Sequence, residues 1–259
     1  MATSTQSDPK EMDLIGHLSE LRRALALSIA ALITAGIVCF TQFERMITWM
    51  IAPLPDVQFI FTTPGETFMA SLALSFAGGI LIAMPVILQQ ILWFISPGLS
   101  RRERLMLAPA FVLAYTLFIV GVAFAYYALL PVGVRFLIGF APVSIKPMLS
   151  IGSYLSFCST LLLGTGLVFE LPLLLSFLAF IGVVTSQRLL ASWRLAVIGA
   201  FIVAAIVTPS IDIFTQTVLA LALLALYALS IQLARMVEWW RPRDDDPIDV
   251  TPTESLPGA

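Results

Sequence analysis

The chain has 259 residues, 59% of them hydrophobic and only 12% charged, and its mean hydropathy is +0.97. Soluble domains run nearer roughly 45–50% apolar and 25% charged, so an ordinary soluble domain is excluded and a polytopic membrane protein is expected. A formal charge of −2 and a pI near 5.4 argue against a nucleic-acid surface, and much of the acidity gathers in the tail at Asp244, Asp245, Asp246, Asp249 and Glu254.

In chain order, the first element predicted is an amphipathic helix within an N-terminal segment, residues 1–23. Asp8-Pro9-Lys10-Glu11 supplies a capping residue, a proline for the first helical position and a carboxylate for the first turn. Leu14, Leu18, Leu21 and Leu25 then form one stripe, with Asp13, His17 and Glu20 near one another at helical spacing. His17 has no second metal ligand near it in sequence and reads as a solvated interfacial residue. The segment lacks a clear small-residue cleavage site, so a cleavable signal peptide is not expected.

Charges divide the chain beyond residue 23 into uncharged windows at 24–43, 67–100, 105–134, 147–187 apart from Glu170, 195–211 and 213–234. A helix needs about 20 apolar residues to cross about 30 Å of hydrocarbon. Six transmembrane helices within 24–235 are therefore predicted. The fifth window reaches only about 25 Å at 1.5 Å per residue, so the fifth and sixth helices are expected to be short and to turn at Thr208-Pro209-Ser210-Ile211-Asp212.

Thr63-Pro64-Gly65-Glu66 and Ser100-Arg101-Arg102-Glu103 read as capping boxes opening spans two and three. Pro85 and Pro172 fall inside spans and predict kinks. The connections at 44–66 and 135–153 are apolar and Pro-containing and are expected to lie on the membrane surface as caps. Residues 236–259 form an acidic tail with a composition typical of disorder. Eleven basic residues fall on the side that holds both termini and three on the other, which predicts cytoplasmic termini.

The candidate chemistry is sparse. Nothing reads as a phosphate-binding glycine loop, and a single histidine gives no nucleophilic triad or metal-ligand cluster, so neither a cofactor nor enzymatic activity is expected. Cys39 and Cys158 lie inside apolar spans and suit buried packing. What remains is carboxylates. Glu170 is the only charged residue between Lys146 and Arg188, and an ionised group there costs a few kcal/mol on insertion scales unless it faces protein, water or a partner. It suits either a functional intramembrane site or a hydrogen bond that holds the bundle. Glu20, with Arg22 and Arg23 just after it, suits either a locally paired surface carboxylate or an acceptor for a basic ligand. Glu103 suits either a helix cap or the same acceptor role.

Four stretches in order, His17-Leu18-Ser19-Glu20-Leu21-Arg22, Pro97-Gly98-Leu99-Ser100-Arg101-Arg102-Glu103-Arg104, Phe169-Glu170-Leu171-Pro172 and Thr208-Pro209-Ser210-Ile211-Asp212-Ile213-Phe214-Thr215-Gln216, resemble TatC, the multi-spanning subunit of the twin-arginine protein translocase. The resemblance covers roughly residues 11–240. It implies an all-α six-span concave bundle in a bacterial cytoplasmic membrane. It also implies a receptor for Arg-Arg signal peptides on folded precursors, assembled in an oligomeric complex with single-span TatA and TatB for export driven by the protonmotive force. By that resemblance Glu20 and Glu103 form the signal-peptide site and Arg22 shapes it. Glu170 is then the buried glutamate of span four, while Thr208, Asp212 and Gln216 mark where a partner helix docks. Many members carry a double proline before the aspartate, where this chain has Pro209-Ser210-Ile211. The competing reading of the residues alone is a secondary transporter for a small solute, with Glu170 as a proton or cation site. A third is a passive scaffold for other membrane helices.

Overall fold

The computed structural model describes residues 9–54, 57–98, 104–139, 148–209 and 212–240, with described side chains beginning at Gly16. Helix α1 runs unbroken from Pro9 to Thr41. The expected amphipathic helix and first span are therefore one rod of about 50 Å at 1.5 Å per residue. Helix α2 (Phe43–Ile51) and strand β1 (Gln58–Ile60) lead to α3 (Glu66–Ile95), and α4 (Leu107–Phe124) continues through a π turn at Ala125–Leu129 into α5 (Leu130–Gly139). Strand β2 (Met148–Ser150) precedes α6 (Ile151–Val168), α7 (Leu171–Phe180) and the short α8 (Ser186–Ala191). The last two helices are α9 (Trp193–Val207) and α10 (Ile213–Trp240).

Among the described residues, five helical stretches are long and apolar enough to cross a membrane, at Gly16–Thr41, Glu66–Ile95, Leu107–Gly139, Ile151–Phe180 and Ile213–Trp239, with Trp193–Val207 as a shorter sixth. The fifth crossing is short as expected, 15 residues or about 22 Å. The sixth is a correction: α10 is 28 residues long. It does not stop where the apolar window ends at Arg235, because Glu238 remains helical and its carboxylate accepts from the Ser186 N–H at 2.6 Å and the Ser186 hydroxyl at 2.5 Å. That contact holds the last turn of α10 against the start of α8.

Span four is divided rather than merely kinked. Pro172 sits in the first turn of α7, where its missing N–H costs nothing, and the backbone turns at Phe169–Glu170. Pro85, by contrast, lies inside α3 without ending it.

Contacts between ends fix the sidedness. The start of α6 meets the start of α3 through Ser150 and Glu66, and His17 of α1 meets Phe94 near the end of α3. The end of α10 meets α8 through Glu238. The start of α1 and the end of α10 therefore share one face, here called the terminal side, and α2, β1 and β2 lie on the opposite, distal side. Exposed Trp93, Trp193 and Trp239 ring the terminal side and exposed Trp49, Phe61 and Tyr127 the distal side, as aromatic belts do at the two membrane interfaces.

Helix α3 packs between α1 and α6, α6 also packs on α4, and α10 packs on α7 and α9. In lipid, burial of apolar side chains between helices gains little, so close approach through small residues has to hold the spans together. A Cβ on Gly79 of α3 would lie 2.9 Å from the Cα and N of Gly36 in α1. One on Gly121 of α4 would lie 3.1 Å from the Gly166 Cα in α6. Cys39 and Cys158 are free and buried.

The two distal connections form one cap. Strands β1 and β2 pair in parallel, Gln58 opposite Met148 through Ile60 opposite Ser150. Tyr126 and Tyr154 donate to the carbonyls of Trp49 and Met50 at 2.7 and 2.5 Å. The capping box expected at Thr63 is rearranged. Gly65 is the N-cap of α3, and the Glu66 carboxylate reaches back to the N–H groups of Thr62 and Thr63, at 2.5 and 3.3 Å, and to the Thr62 hydroxyl at 2.6 Å. The same carboxylate accepts from the Ser150 hydroxyl and, at 2.9 Å, from the Gly152 N–H. A Cβ at 152 would lie 2.6 Å from the Glu66 Cγ, so a side chain there would have to displace this carboxylate. Glu66→Ala is therefore expected to speed amide hydrogen exchange at 58–60 and 148–152 and to lower the melting temperature in detergent. Unchanged exchange would show that the ladder holds the cap without the carboxylate. The capping box expected at Ser100 and the acidic tail from residue 241 lie outside the described residues.

Candidate functional site

Glu20 sits on α1 at the terminal side with its side chain 55% exposed, and its Oε2 lies 3.7 Å from Nδ1 of His17. His17 is exposed, as a solvated interfacial residue would be, but it also has a packing partner. Its ring stacks on that of half-buried Phe94, with centroids 4.3 Å apart and planes at 20°. The amphipathic start of α1 is thereby attached to the last turn of α3. Arg22 is exposed, and the Arg104 Nε donates to the carbonyl of Ser96 at 3.1 Å, which places Arg104 beside the end of α3. Glu103 lies outside the described residues. Leu18, Leu21 and Leu25 are all exposed, which suits a helix face turned toward lipid or a partner; Asp13 and Leu14 precede the described side chains.

An open groove of about 550 Å³ runs between α1 and α3. Leu27, Ala31 and Thr34 line one wall, and Ala83, Val86 and Gln90 the other. Leu27 lies two turns beyond Glu20 on α1, and Gln90 one turn before Phe94 on α3, so the groove begins just below the His17–Phe94 stack. Its walls are apolar except for Thr34 and the Gln90 amide.

The other candidates sit elsewhere. Glu170 lies at the α6–α7 junction, two-thirds of the way along span four, so its place is nearer the terminal side than the midpoint of the span. Both of its carboxylate oxygens are buried with no hydrogen-bond partner among the described residues. The bundle-holding hydrogen bond, one of the two readings of its sequence, is therefore not made within the described chain.

Thr208 and Asp212 face inward. The Thr208 hydroxyl donates to the Ala204 carbonyl at 2.8 Å, and Asp212 Oδ1 accepts from the Thr215 N–H at 2.6 Å, which caps α10. Gln216 donates from Nε2 to the Phe201 carbonyl at 3.2 Å and ties α10 to α9. Ser210 and Ile211, where the chain departs from the double proline, lie outside the described residues. Sequence reasoning missed Phe94 and Gln90 altogether. An aromatic residue one turn from the end of a span was the available signal for Phe94, while Gln90 carries no signal apart from being an amide in an apolar run.

These features define an all-α multi-pass membrane protein with a half-exposed carboxylate at the terminal side and an open groove within the span between α1 and α3. A family model described as Sec-independent protein translocase protein (TatC) matches residues 16–221. The chain is 38% identical over 230 residues to the Sec-independent protein translocase protein TatC of Synechocystis sp., covering 89% of this chain and 91% of that protein. It is 39% identical over 222 residues to the chloroplastic TATC of Arabidopsis thaliana, covering 85% of this chain and 65% of that protein. It superposes on a crystal structure of the twin arginine translocase receptor TatC with a TM-score of 0.73 at 34% identity, covering 86% of this chain and 99% of that one. The chain belongs to the TatC family. It is thus a receptor component of the twin-arginine translocase, a transport protein and not an enzyme, and the reading as a translocase component stands over that as a solute transporter.

Proposed function

We propose that this protein receives twin-arginine signal peptides of folded precursors through Glu20 and Glu103, with Arg22 shaping the site. The observation that carries the reading is the position of Glu20, half exposed on α1 and two turns before the apolar groove that begins at Leu27. A leader with adjacent arginines ahead of an apolar stretch matches that order of surfaces. Guanidinium forks pair bidentately with carboxylates, and the apolar stretch runs along the groove between α1 and α3. The excess of Lys and Arg on the terminal side supports cytoplasmic termini, in a bacterial cytoplasmic membrane.

Partner helices of TatA and TatB dock at the distal α9–α10 hairpin. Exposed Ile206, Ile213 and Phe214 supply the apolar contact and Gln216 the polar one, while Thr208 and Asp212 hold the turn. Glu170 offers a second polar contact to a partner helix from within the bundle. Export then draws on the protonmotive force, in a complex of several subunits.

The test is binding of a synthetic signal peptide to the purified full-length chain. The Arg-Arg peptide is expected to bind at least about tenfold more tightly than the Lys-Lys peptide, because an ammonium lacks the planar fork. Equal affinity for the two would rule out recognition by bidentate pairing.

A further inference from the structure

We propose that His17 is a positioning residue for the Glu20 carboxylate, held in place by Phe94; this rests on the reading of Glu20 as the leader's acceptor. An exposed pair three residues apart on a helix is ordinarily weak, because both side chains must give up rotamers to meet. His17 differs in that its ring already lies flat on Phe94, 4.3 Å between centroids and 20° between planes. One face of the ring rests on a residue of another helix while the side chain stays half exposed, and Nδ1 lies 3.7 Å from Oε2 of Glu20. That contact is with Oε2, electrostatic in range and longer than a hydrogen bond. The carboxylate then has a preferred orientation before a ligand arrives, and a guanidinium fork meets a plane already set. A Lys ammonium, as a point charge, gains much less from that orientation.

The device also joins recognition to packing. His17 belongs to the part of α1 that precedes its apolar window, and Phe94 to the last turn of α3, so the stack joins the two helices on the terminal side of the groove, one turn beyond Gln90 on α3. Loss of either ring frees Glu20 in the same way, and the two losses are therefore not independent.

The experiment measures affinities of Arg-Arg and Lys-Lys signal peptides, with melting temperatures, for full-length variants in detergent. His17→Ala and Phe94→Ala are each expected to weaken Arg-Arg binding about fivefold and to narrow the Arg-to-Lys ratio. The double variant is expected to be no worse than either single one. His17→Phe keeps the stack and the melting temperature but loses the nitrogen, and is expected to bind like His17→Ala. Wild-type affinity in His17→Phe, or losses that add in the double variant, would overturn the inference. Glu20→Gln in the same series separates it from the reading beneath it. Strong loss in Glu20→Gln with unaffected His17 variants sinks only the positioning role, and no loss in Glu20→Gln sinks both.

Discussion

Gly79→Val is expected to separate α1 from α3 and to destabilise the bundle by about 3 kcal/mol, at the upper end of ordinary overpacking. The clash is with backbone, since a Cβ at 79 would meet the Gly36 Cα and N at 2.9 Å and the Leu32 carbonyl oxygen at 3.3 Å. No rotamer change relieves it, so one helix has to move. Helix α1 packs chiefly on α3, which leaves it little else to hold it in register. Gly79→Ala carries the same first contact with less bulk and is expected to cost about 1–2 kcal/mol. Gly199→Ala in α9 has nothing within 4 Å and is expected to be neutral or slightly stabilising, by up to about 1 kcal/mol. Thermal unfolding in detergent checks all three, and a Gly79→Val protein that melts like the wild type would show that the α1–α3 contact is not tight. Because α1 carries Glu20, the same variant is expected to lose peptide binding together with stability.

The second large effect is chemical. Glu20→Ala combined with Glu103→Ala is expected to abolish cross-linking to an Arg-Arg signal peptide while insertion into the membrane stays normal. Each carboxylate facing a guanidinium at the interface is worth about tenfold in affinity, and two on separate segments about a hundredfold if they act independently. Glu20 is half exposed, and among the described residues its charged contact is the long one to His17; Glu103 precedes the apolar window of span three in the sequence. Retained cross-linking in the double variant would remove the acidic clasp from the proposed function, and a protein that failed to insert would give both residues a structural role.

Much of this was legible in the residues. Apolar windows bounded by charge located every span, because hydrocarbon tolerates neither charge nor unpaired backbone. The shortness of span five came from counting alone. The extension of α10 past Arg235 did not, since a helix leaving the membrane continues for as long as something holds its end, and Ser186 is 52 positions away in the chain. Thr208 and Asp212, which the resemblance marks as part of a docking region, have their side chains engaged with the last turn of α9 and the first turn of α10, and those local bonds were not legible in the residues.

Composition and charge order by themselves determined a six-span membrane protein, the split of basic residues between its two faces, and the run of motifs that marks its family. These are one-dimensional properties, set by the cost of placing each residue in lipid. Tertiary structure alone decided that Glu66 fastens two distal connections, that His17 lies on Phe94, and that a groove opens below Glu20. Each depends on helices distant in sequence meeting at a specific depth, which no local pattern names; for α1 and α3 the close approach is where Gly79 meets Gly36.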